Sequence, residues 1–109
     1  MTEEIKTRAD EFIVHLRETE EYKYYADQIR NIMNYPDLMR EMNEYRNENF
    51  RIQNTFEGEE LYDKMEELSN RYENLIEDTR VRGFLDSEAS LCKMIRDVST
   101  YLIEGLEFQ

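Results

Sequence analysis

His15 and Cys92 are the only histidine and the only cysteine among 109 residues, so metal or thiol chemistry would begin with them. A carboxylate-bridged di-metal bundle draws carboxylates from facing helices and a Glu-x-x-His pair from each of two of them. Here Glu11 lies one turn before His15, and no Glu-x-x-His occurs. His15 therefore reads as a polar-face or interface residue rather than a ligand. A single cysteine excludes an intramolecular disulfide and any all-cysteine metal site built by one chain. Cys92 lies beside an apolar stripe and reads as a small core residue. The alternative is a thiolate holding a metal or cluster jointly with another chain.

The acid runs Glu18-Thr19-Glu20-Glu21 and Glu57-Gly58-Glu59-Glu60 lack the alternating ligands and central glycine of a calcium loop. They are acids at helix starts, on a solvated face. The chain has no glycine-rich phosphate loop, nucleophile elbow or paired-cysteine motif. Nothing in it argues for an enzyme, and no cofactor is expected. The 8 tyrosines and 6 methionines stand out more. Tyr22, Tyr24 and Tyr25 cannot all face one core, and both residue types are enriched at protein interfaces.

The totals narrow the partners. With 26 acids against 14 bases the net charge is −12. Nucleic-acid affinity comes largely from Lys and Arg at phosphates, so direct nucleic-acid binding is not expected, nor is adhesion to an anionic membrane. A basic protein partner is compatible with this field. No apolar run approaches the ~20 residues of a membrane span. The opening Met1-Thr2-Glu3-Glu4 lacks the basic start of a signal peptide. A reduced, cytoplasmic protein is the expectation.

The elements that must position these residues are all helical. Apolar positions recur at steps of three and four, and breakers are nearly absent, with 1 Pro and 3 Gly. The pattern predicts one all-α domain over residues 1–109, with about five helices in a bundle or coiled-coil-like arrangement. Two short N-terminal helices come first, the first capped by Thr2 and ending near Arg17. The second is capped by Thr19, runs from residue 20 to about 34, and buries Tyr22, Tyr25, Ile29, Ile32 and Met33. Ile5, Ala9, Phe12, Ile13 and Leu16 share a face of the first. Pro36 then opens a long antiparallel hairpin that turns at Gly58 and ends near residue 77. A long C-terminal helix follows, capped by Asp78 or Thr79, with the stripe Phe84, Leu91, Ile95, Val98 and Leu102 broadened by Leu85, Cys92 and Ile103. Glu88 interrupts that stripe, and Arg46 or Arg51 is its expected partner.

The hairpin is the expected assembly surface. Leu38, Met42, Tyr45, Asn49, Ile52 and Phe56 line one arm at 4-3 spacing, and Leu61, Met65, Leu68, Tyr72 and Leu75 line the other. Such narrow a/d stripes call for a further helix, so a homo-oligomer is expected, with Asn49 setting the register.

Five blocks carry a family resemblance: Glu18-Thr19-Glu20-Glu21-Tyr22-Lys23-Tyr24-Tyr25; Tyr35-Pro36-Asp37-Leu38-Met39; Glu44-Tyr45-Arg46 with Asn49-Phe50-Arg51-Ile52-Gln53; Val81-Arg82-Gly83-Phe84-Leu85-Asp86-Ser87-Glu88; and Leu91-Cys92-Lys93-Met94-Ile95. Together they resemble the YlbF/YmcA family of small helical bacterial proteins, which includes YheA-like members. The resemblance implies a cell-fate regulator supporting competence, biofilm formation and sporulation in Gram-positive bacteria. It also implies, for some members, complexes that assist endoribonuclease Y in messenger-RNA maturation and carry iron–sulfur clusters on cysteines, several in C-terminal tails. This sequence stops at Gln109 with Cys92 alone and looks closer to the YheA-type branch, so no cluster ligand is assigned. The expected function is a non-enzymatic regulator or adaptor acting through protein contacts. The alternative is a self-associating helical scaffold without a regulatory partner.

Overall fold

Each predicted helix start is made by the residue expected to make it. The computed structural model describes residues 1–107, and among them finds α1 (Glu3–Arg17), α2 (Glu20–Ile32), α3 (Pro36–Thr55), α4 (Gly58–Arg71), α5 (Glu73–Glu77) and α6 (Thr79–Leu106). The Thr2 hydroxyl accepts a hydrogen bond from the Ile5 amide, and the Thr19 hydroxyl accepts one from Tyr22, both at 3.2 Å. Pro36 occupies the first turn of α3, where its missing N–H leaves no bond unmade. Gly58 turns the chain into α4 at φ +61°, a left-handed conformation that disfavours side chains.

The fourth helix does not run unbroken to residue 77. It stops at Tyr72, whose backbone leaves helical geometry at φ −107°, ψ 23°, and the remaining turn becomes α5. The break sets the Tyr72 ring edge-on to Tyr45, with centroids 5.4 Å apart, and carries Leu75 into the core. The second helix is also shorter than expected, and Met33 at its end is exposed rather than buried.

The core lies where α2, the first half of α3, α5 and the first half of α6 meet. Ile32, Met42, Leu75, Val81 and Phe84 are buried there, ringed by Tyr25, Ile29, Leu38 and Tyr45. α2 makes the most extensive contact, against α6. Small residues of α6 lie along this part of the helix. A Cβ at Gly83 would lie 2.4 Å from the Gln28 side-chain oxygen, and Ser87 is fully buried. Gly83, Ser87 and Ser90 fall on one side of the helix at steps of four and three. The Gln28 side chain of α2 thus lies over Gly83 and would have to move aside for a larger residue there. The Arg46 side chain spans from α3 to α6, donating to both Glu88 oxygens at 2.7 and 2.6 Å. This is one of the two partners foreseen for Glu88; Arg51 pairs instead with Glu48.

Asp78 ties α5 to α6. Its Oδ1 accepts from the Arg80 amide at 2.8 Å and from Arg80 Nε at 3.0 Å, while Oδ2 accepts from Arg80 Nη2 at 2.6 Å. These bonds, above all those from the Arg80 side chain, hold the carboxyl down to about 2. A carboxyl depressed in the folded state stabilises the fold above its unfolded value and loses that contribution as pH falls towards its folded value. The Asp78 contribution should be complete above about pH 4 and vanish towards pH 2. Asp78→Ala should cost about 0.5–2 kcal/mol at neutral pH and flatten stability over that acid window. Urea titrations of both proteins at a series of pH values check this; parallel pH curves would refute it.

The molecule is extended. Its radius of gyration is 18.1 Å, against about 13 Å for a compact chain of this length. Its accessible surface is 8722 Å², about 2,200 Å² above the value scaled from its mass.

Candidate functional site

Most of the exposed large apolar side chains lie at one end, on α1 and the second half of α6. α1 carries Ile5, Phe12, Ile13 and Val14, yet it buries none of its residues. In α6 the buried positions are Val81, Phe84 and Ser87; residues 88–106 add none. The α6 seam that enters the core at Phe84 thus runs on past Glu88 through Leu91, Ile95, Val98 and Leu102 with only partial cover. Leu91 and Val98 are half-buried, while Ile95 and Leu102 are 49% and 57% exposed.

Beside this seam, α1 and α6 enclose an open groove of about 510 Å³. Phe12, Met94, Val98, Tyr101 and Leu102 form its apolar lining, with Glu21, Lys93 and Asp97 at its edge. Two of the edge charges pair with each other, Lys93 Nζ donating to Asp97 Oδ2 at 2.9 Å. No set of polar groups converges on a point in this lining. Its chemistry is that of apolar docking rather than catalysis.

The hairpin, expected as the assembly surface, buries much of its own stripe. Met42, Ile52 and Leu68 are buried within the chain, and Leu38, Tyr45, Phe56, Leu61, Met65 and Tyr72 are half-buried. The α5 break and α2 supply the neighbours that the narrow stripes required, so much of the stripe is consumed internally. Asn49 is half-buried and its Oδ1 accepts from Gln53 Nε2 at 3.1 Å, one turn along the same helix. On the first arm of the hairpin, Arg51 lies against the Glu48 carboxyl and holds it below the usual carboxylate range.

Two further expectations need correction. Cys92 is exposed, not a core residue. It lies nine positions after Gly83, which at 100° per residue is about half a turn around α6 from the α2 contact. His15 is exposed in keeping with its polar-face reading, with Nδ1 3.8 Å from Glu18 Oε2. The α6 residues Ile95, Leu102 and Ile103, expected in the stripe that faces the core, are exposed as well. Sequence reasoning missed the small-residue stripe; its signal was the spacing of Gly83, Ser87 and Ser90.

The family described as "Control of competence regulator ComK, YlbF/YmcA" matches residues 5–107. The chain belongs to the YlbF/YmcA family. No curated protein and no solved structure gives a match. The match covers every helix, from within α1 to beyond the end of α6. The description of the YlbF/YmcA family is that of a regulator. Among the described residues, no helix is long and apolar enough to cross a membrane.

The clusters implied for some YlbF/YmcA complexes can be tested against these residues. A protein-bound iron–sulfur cluster is held by several ligands, most often four thiolates. One chain here offers a single exposed thiol, and no group of three or more His, Cys, Asp or Glu side chains gathers among the described residues. The residues of one chain do not form such a site.

Proposed function

We propose that this YlbF/YmcA member is a non-enzymatic regulatory adaptor of the cytoplasm that acts by binding other proteins. The processes it serves are those implied by its family: competence, biofilm formation, sporulation, and messenger-RNA processing with endoribonuclease Y. The observation that carries the reading is the large apolar surface left outside on α1 and the second half of α6. Monomeric proteins rarely leave a large contiguous apolar patch uncovered, and such patches mark interaction sites.

Charge adds a second, separate feature. Residues 57–78 hold nine acids and two bases, so they carry a net −7 of the chain's −12. An acidic arm of this kind steers a basic partner towards the hairpin end.

Affinity capture from a Gram-positive lysate tests the proposal, with the parent chain and a charge-neutralised arm (Glu59→Gln, Glu60→Gln, Asp63→Asn) as baits. Ribonuclease, phosphorelay or other regulatory proteins should be enriched on the parent and reduced on the variant. Equal, background-level recovery on both baits would remove the adaptor reading and leave the scaffold.

A further inference from the structure

We infer that the α6 seam of Leu91, Ile95, Val98 and Leu102 is covered by the same seam of a second copy of this chain, with α1 closing the side of the interface. The inference rests on the protein-interaction reading and names one of its partners.

The spacing points to the occupant. Positions 91, 95, 98 and 102 continue a 4-3-4 rhythm, which packs best against a helix of matching rhythm and comparable length. α6 is 28 residues long, about 42 Å, and its second half finds no such helix within its own chain. A second α6 brought up by a two-fold axis supplies the same seam, because a two-fold interface joins a patch to itself.

Electrostatics agrees. Two copies of a −12 chain repel most where their acids face each other. α1 holds four acids and three bases, and residues 90–107 hold three acids and two bases. Glu18, Glu20 and Glu21, against Lys23, add a net −2 beside the groove. α1 and the second half of α6 nevertheless each stay within one charge of neutral, against −7 on residues 57–78, so pairing along them keeps the two acidic hairpin arms apart.

The chain as a whole has surface to spare. A standard interface removes about 800 Å² from each partner. The chain carries about 2,200 Å² more surface than its mass predicts. Phe12, Ile95, Leu102 and Leu106, all exposed in the single chain, would supply the apolar centre.

Sedimentation equilibrium over a wide concentration range tests the inference on the full chain and three variants. Leu102→Glu and Phe12→Glu place a charge on the proposed interface; Tyr62→Glu places one on an exposed site of the hairpin. The parent and Tyr62→Glu should both sediment at twice the chain mass. Leu102→Glu should sediment as a single chain, with Phe12→Glu weakened by tenfold or more, and both should keep the parent's helical circular dichroism. If Leu102→Glu fails to fold, Phe12→Glu decides. A parent that stays monomeric throughout overturns the inference, as does a dimer that both interface substitutions leave intact. A monomeric parent that still enriches regulatory proteins from lysate would overturn the second copy alone. A dimeric parent that enriches none would overturn the adaptor alone.

Discussion

Phe84→Ala should remove about 3–5 kcal/mol of stability, a large part of the 5–15 kcal/mol typical of a small domain. Phe84 is 4% exposed and belongs to the cluster in which α2, α3, α5 and α6 meet. Its ring lies 5.9 Å from that of Tyr25, and the Arg46 guanidinium sits 5.7 Å above its face. Truncation leaves a cavity that four helices cannot close together, because each is held by its own contacts. It also strips the apolar support beneath the Arg46–Glu88 pair. Urea unfolding followed by circular dichroism should show a lower midpoint with an unchanged slope. A loss under 1 kcal/mol would mean that this cluster is not the core.

Ser87→Asp should be comparably severe, at about 3–5 kcal/mol, because a carboxylate would be buried without a partner. Ser87 is fully buried, and its hydroxyl donates to the Phe84 carbonyl at 2.7 Å on its own helix. Ser87→Ala forfeits only that local bond and should stay within about 1 kcal/mol of the parent. The contrast isolates size and charge from hydrogen bonding. If the two variants unfold at the same urea concentration, α2 does not press on α6 at this position. The pair of predictions also separates core from surface. Leu102→Glu, on the uncovered part of the same helix, should change assembly while leaving the fold of the single chain intact.

Local physics made much of the fold readable. Thr2, Thr19 and Asp78 cap helices because a side-chain oxygen beside an N-terminus accepts an amide bond that depends on no distant residue. Pro36 and Gly58 act through their own backbone restrictions or freedom. The Arg46–Glu88 pair was legible because a charge interrupting an apolar stripe needs an opposite charge nearby. The break at Tyr72 was not legible, since the 4-3 rhythm of Leu68, Tyr72 and Leu75 continues across it. Past the break, α5 packs against α6 and Leu75 enters a core shared with Ile32 and Val81, contacts that no local pattern specifies.

The assembly surface shows the same division. Periodicity marks which residues of a helix share a side, and it marked both the hairpin stripes and the α6 seam. It does not say which stripe the rest of the chain will cover. By itself, then, the sequence determined the helices, their caps, the acidic charge and the family blocks. Only the tertiary structure decided that α2 lies on the Gly83–Ser87 side of α6, that the hairpin stripe is largely consumed inside the chain, and that α1 and the far end of α6 have only partial cover. The physical reason is that helix formation and capping are settled within a few residues, whereas burial depends on which faces meet, and that is a property of the whole packed chain.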